Sequence, residues 1–145
     1  MRIYLTTLFF LLAITCFGQD KKNVDSLAKA YYVDMKIISA SFAEAYYPHR
    51  REIYSLNEPH FLKKIDSLQQ PFMNMANKYA KAFQKVDKNF ILNEQRDISY
   101  FFDRLILDYP YFHENHTGKK IQLSKSTQSK LNRHLVDFNN PTVNG

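Results

Sequence analysis

From Val24 onward, apolar side chains recur at Val24, Leu27, Tyr31, Met35, Ile38, Phe42 and Ala45, in steps of three and four, until Pro48 intervenes. Such steps gather all seven on one side of an α-helix, whereas a half-buried strand requires strict alternation. Asn23 is positioned to cap this helix. The residue before Pro48 is pushed out of the helical region, which predicts an end near Tyr46 or Tyr47. No run of apolar-polar alternation long enough for a sheet occurs anywhere else in the chain. The fold class expected is therefore all-α.

After a connection from His49 to Asn57, Asn57-Glu58-Pro59 reads as a second helix start, because proline in a first turn has no hydrogen bond to lose. Its stripe runs Phe61, Ile65, Leu68, Phe72, Met75, Tyr79, Ala82 and Val86. The stripe keeps phase across Pro71, which predicts a kink rather than a break, with two separate helices as the fallback. A third helix is expected from about Asn89 to Asp108, carrying Ile91, Ile98, Phe101, Phe102, Leu105 and Leu107 and stopped by Pro110. Residues 111–122 carry turn chemistry around Asn115 to Gly118. Ser124 or Ser126 then caps a last helix with Leu131, Leu135 and Phe138. The sum is an antiparallel bundle of about four helices joined by short loops.

The N-terminus has its own pattern. Arg2 is followed by an apolar stretch from Ile3 to Ile14 broken only by Thr6 and Thr7, the form of a secretory signal. Roughly 20 apolar residues are needed to span a bilayer, so this stretch is too short, and no second one follows. Residues 1–18 are read as a signal peptide cleaved after Cys16-Phe17-Gly18, and residues 19–145 as one helical domain. The destination is the periplasm or the exterior. Lipidation at Cys16 is the less favoured alternative, since Ala13-Ile14-Thr15 lacks the usual leucine and small residue before the cysteine.

Cleavage would remove Arg2 and the only cysteine of a chain whose net charge is +6. Thiol exchange needs a thiolate, so the exported form is not expected to perform it. The three glycines, Gly18, Gly118 and Gly145, are too scattered to write a phosphate-cradling loop of the Walker or dinucleotide type. No serine or threonine sits on a strand-turn-helix elbow. Glu94, Asp97, Asp103 and Asp108 are spaced for surface ion pairs with Arg96 and Arg104 rather than for a catalytic carboxylate pair. No enzyme activity and no cofactor is expected.

Three patterns could carry binding. His113-Glu114-Asn115-His116 sets two imidazoles beside a carboxylate. A zinc site needs three or four protein ligands, so His60, His134 or a distant acid would have to join the candidates His113 and His116. Loop histidines with local hydrogen bonds are the preferred reading. Second, adjacent helix residues diverge by about 100°, so one of each pair Tyr31-Tyr32, Tyr46-Tyr47 and Phe101-Phe102 should pack inward while its neighbour flanks the core or a partner surface, with core packing the preferred reading. Tyr109, Tyr111, Phe112 and His113 are the candidate contact surface for a protein partner in the cell envelope. Third, Lys119, Lys120, Lys125, Lys130 and Arg133 occupy a span with no acid between Glu114 and Asp137. Without aromatics among them to stack on bases, and behind an export signal, they read as a solvated face and not as a nucleic-acid site. Asn115-His116-Thr117 matches an N-glycosylation acceptor, and Ser26 and Ser67 lie in Asp-Ser-Leu triplets of the kind that Bacteroidota modify with O-glycans.

Taken in order, Ala45-Tyr46-Tyr47-Pro48-His49-Arg50-Arg51, Tyr54-Ser55-Leu56, Phe61 to Leu68, Leu107-Asp108-Tyr109-Pro110-Tyr111-Phe112-His113-Glu114 to Thr117, and Asp137-Phe138-Asn139-Asn140-Pro141 resemble one family region. It is the helical region that precedes the thioredoxin domain in TlpA/ResA-like thiol-disulfide oxidoreductases exported by Bacteroidota. The resemblance implies an accessory helical module without the reductase, since no position matches that family's Cys-x-x-Cys pair. It carries over no catalytic residue. The alternative to a protein-contact module is a periplasmic protein binding a small ligand or metal in an aromatic-lined groove between helices, with His113 and His116 as its polar contacts.

Overall fold

The first helix, α1, spans Ile3–Tyr46 without interruption. The computed structural model describes the backbone of residues 3–138 and the side chains of residues 22–133. Asn23 therefore lies inside a helix and does not cap one. From Gln19 to Val24 there is neither proline nor glycine to stop helix propagation. The side chains of the signal region, Arg2 and Cys16 included, lie outside the described residues, as do those of His134, Leu135 and Phe138. The segment from Asn139 to Gly145 lies outside them altogether. Among the described residues no helix is long and apolar enough to cross a membrane.

Five further helices follow: α2 at Arg50–Ser55, α3 at Glu58–Phe83, α4 at Lys88–Leu107, α5 at Tyr109–Thr117 and α6 at Lys125–Phe138. The described residues are thus all-α, with no strand. Six helices stand where about four were expected, because two short ones fall in stretches read as connections. Helix α2 occupies the His49 to Asn57 link. Its two buried residues, Ile53 and Tyr54, are too few to form a stripe. Helix α5 occupies most of the segment read as a turn region. Pro110 does not merely end α4 but sits in the first turn of α5, where its missing N–H costs nothing. Gly118 closes α5 at a φ of 71°, the left-handed conformation that glycine adopts without strain.

Local chemistry accounts for the other boundaries. The Asn57 side chain accepts from the His60 N–H at the start of α3. The Asp87 side chain accepts from the N–H groups of Asn89 and Phe90 at the start of α4. Helix α3 passes through Pro71 as one element, so the two-helix fallback does not hold.

Packing follows the aromatic residues. Helices α1 and α3 run antiparallel, with ring centroids 5.5 Å apart for Tyr31 and Tyr79 and 5.8 Å apart for Phe42 and Phe72. Helices α3 and α4 are likewise antiparallel, with Phe83 stacked on Phe90 at 4.2 Å and Phe72 at 5.6 Å from Phe102. Tyr31 also reaches Phe90, and Phe42 reaches Phe102, which sets α1 and α4 side by side in the same direction. The core comprises Tyr31, Phe42, Phe61, Ile65, Phe83 and Phe102 with their neighbours. Each such side chain contributes about 1.5–3 kcal/mol on leaving water.

The second stripe drifts from its expected course near its end: Ala76 and Phe83 are buried, while Ala82 and Val86 are exposed. On α4 the stripe includes Ile106, and Leu107 is exposed instead. Each aromatic pair divides as expected. Tyr31, Tyr46 and Phe102 are buried, while Tyr32, Tyr47 and Phe101 are 51%, 63% and 46% exposed.

Candidate functional site

Two of the residues singled out for function, Tyr109 and His113, meet at the junction of α2 and α5. Tyr109 and His113 are one turn apart on α5 and both point at α2. The Tyr109 hydroxyl donates to the Leu56 carbonyl at 2.8 Å, and His113 Nδ1 lies 2.9 Å from the Tyr54 carbonyl oxygen. A carbonyl only accepts, so Nδ1 carries the proton and the neutral ring keeps Nε2 as its acceptor. These two bonds cap the exposed end of α2, a helix too short to hold its carbonyls in a regular ladder. Phe61 stacks on the Tyr109 ring at 4.2 Å and ties the same junction to α3.

Tyr54 sits at the centre of this cluster. Its hydroxyl donates to the Leu105 carbonyl and lies 3.2 Å from the Tyr46 hydroxyl. Burial, with the Tyr46 hydroxyl beside it, pushes the Tyr54 pKa far above the usual phenol value. Burial likewise raises that of Tyr109. Neither phenol is suited to give up its proton to a substrate near neutral pH. Arg50 lays its guanidinium over the Phe112 ring, 4.0 Å from the centroid, and so covers the outer side of the junction.

The four residues proposed as a contact surface divide by burial. Tyr109 and His113 are interior, Phe112 is half-buried beneath Arg50, and Tyr111 is 65% exposed. The two metal-ligand candidates are also separated in role. His113 is held by α2, whereas His116 lies parallel to the Phe112 ring with centroids 6.2 Å apart. His60 is 2.7 Å from its own cap residue, Asn57. Among the described residues no group of three or more His, Cys, Asp or Glu side chains comes together in a metal-holding arrangement. The histidines read as loop residues in fact belong to a helix. One of them closes a contact between elements, which sequence spacing alone does not signal.

The acids of the segment from Glu94 to Asp108 are only partly paired along it: Glu94 turns to α1 and Asp108 to its own turn. Glu94 accepts from the Tyr32 hydroxyl at 2.7 Å, and Asp108 pairs with Arg104. Burial and the Glu94 carboxylate push the Tyr32 pKa up to about 12. Lys119, Lys120, Lys125, Lys130 and Arg133 are all exposed, with Lys120 3.9 Å from Glu114. Ser26 and Asn115 are exposed too. The Ser67 hydroxyl donates to the Lys64 carbonyl, and Thr117, the last residue of the glycosylation triplet, donates to the His113 carbonyl.

Sequence reasoning did not single out Glu58, whose carboxylate accepts from the Ser124 N–H, the Ser124 hydroxyl and the Thr127 hydroxyl. Burial works against the charge, but these donors outweigh it and hold Glu58 below the usual carboxylate range. Nor did it anticipate a surface formed around Phe42. Tyr47 and Phe101 both pack against that buried ring, with centroids 6.3 and 5.6 Å from it, and both are exposed. The one signal available was the pairing of adjacent aromatics, which required one member of each pair to turn from the core without saying which. Comparison with family models, curated proteins and solved structures finds no match to this chain.

Proposed function

We propose that this chain is an exported, non-catalytic antiparallel helical bundle that acts through protein contacts in the cell envelope. In this reading it is an accessory module of the kind that precedes the reductase in TlpA/ResA-like oxidoreductases. The observation that carries it is the division of the aromatics. Tyr54, Tyr109 and His113 are engaged in joining α2 to α5, while Tyr47 and Phe101, each against the buried Phe42 ring, are exposed to solvent. Contiguous exposed apolar area, unlike scattered single residues, marks a surface used for association.

Two measurements test the reading together. In the native host the protein is expected in the envelope or exterior fraction with Gln19 as its first residue. A cytoplasmic protein retaining Met1 would contradict export. A photo-reactive phenylalanine analogue in place of Phe101 is expected to give one discrete protein adduct in that fraction. Its absence would contradict the contact role.

A further inference from the structure

Between α1 and α3, away from both histidines of α5, lies a half-open groove of about 470 Å³. Ile38, Phe42, Leu68 and Phe72 give it an apolar floor, and no acidic residue lines it. Its polar groups are few. The hydroxyls of Ser41 and Ser67 are already turned to helix carbonyls, those of Ile37 and Lys64. Two groups are left. Lys64 reaches the groove from the start of α3 and, among the described residues, has no ion-pair partner. Ser67 and Pro71 also line the groove, and Pro71 has no N–H to give to the Ser67 carbonyl, which thus lacks the helix partner its neighbours have.

We propose that this groove binds the apolar C-terminal end of a peptide, with its free carboxylate on the Lys64 ammonium and a backbone N–H on the Ser67 carbonyl. The two polar groups discriminate between occupants. A fatty acyl chain supplies an anion but no N–H donor, and an apolar internal peptide segment supplies N–H groups but no anion. A peptide C-terminus supplies both, and its side chains fill the apolar floor. The volume is that of a small-ligand cleft. The inference depends neither on export nor on the Tyr47 and Phe101 face.

Fluorescence anisotropy on the purified full chain tests it, using a labelled tetrapeptide of leucine and phenylalanine as the free acid and as the C-terminal amide. The free acid should bind about tenfold more tightly, the worth of one charge-assisted hydrogen bond. Lys64→Gln should erase that difference with an unchanged circular dichroism spectrum, and Lys64→Arg should keep it. Pro71→Ala restores an N–H to the Ser67 carbonyl, so it should weaken binding of both peptides several-fold while raising the thermal midpoint. Equal affinity of acid and amide, or no binding by either, would overturn the proposal. So would dodecanoate displacing the peptide with an affinity that Pro71→Ala leaves unchanged, which would assign the groove to an acyl chain.

Discussion

Two buried phenols set the contrast at the scale of single residues. Tyr31 is fully buried, and its hydroxyl lies near the Glu94 carboxylate without a hydrogen bond of good geometry, while the Tyr32 hydroxyl donates to that carboxylate. Burial and that negative charge together raise the Tyr31 pKa well above the usual phenol value. Tyr54, equally buried, satisfies its hydroxyl at Leu105 and Tyr46. Removing a satisfied buried hydroxyl strands its partners, while removing an orphaned one relieves a desolvation cost. Tyr31→Phe is therefore expected to leave stability unchanged or to raise it by up to about 1 kcal/mol, and Tyr54→Phe to lower it by about 1 kcal/mol. Urea unfolding of the two variants checks both signs. The inward position of Tyr31 was legible in the sequence, since it falls on the apolar stripe of its helix, whereas nothing in the spacing marked Tyr54. Which hydroxyl would be satisfied was not legible, because the partners of Tyr54 lie up to 51 positions away.

At the scale of elements, the long helices were readable and the short ones were not. Helices α3 and α4 carry stripes several turns long, with cap residues Asn57 and Asp87 at their starts. Helices α2 and α5 have no stripe of their own. They exist as helices in the company of each other, through Tyr54, Tyr109 and His113, and tertiary contacts override weak local propensity in this way. Helix α6 is held differently. Ser124 caps it by accepting from the Thr127 N–H, and Glu58 of α3 binds both side chains. The pKa of Glu58 is depressed in the folded protein, so this clasp contributes stability above the unfolded carboxylate value near 4.3, and loses it as pH falls through the lower folded value. Hydrogen exchange is expected to show α6 amides losing protection in acid before those of α3 and α4. Glu58→Gln should show that reduced α6 protection already at neutral pH and remove its acid dependence. Equal loss of protection in all three helices would count against the clasp.

For the molecule as a whole, the candidate site is a set of structural joints, and the proposed face for association lies elsewhere. The Tyr-Pro-Tyr-Phe-His segment drew attention in the sequence because it concentrates groups able to do chemistry. Folding engages Tyr109 and His113 with the backbone of α2, and leaves Tyr47, just past the end of α1, and Phe101 of α4 exposed. That second surface joins residues 54 positions apart, a proximity that periodicity along one helix does not reveal. The central claim is that contacts are made there, independently of the joints that hold the fold. The most direct measurement is the photo-crosslinking yield from position 101 in a Tyr47→Ser background, read beside the thermal midpoint of the same protein. The account predicts that the yield collapses while the midpoint stays at the parent value, since Tyr47 is 63% exposed. A yield that stays at the parent level, or a midpoint that falls with it, would contradict the account.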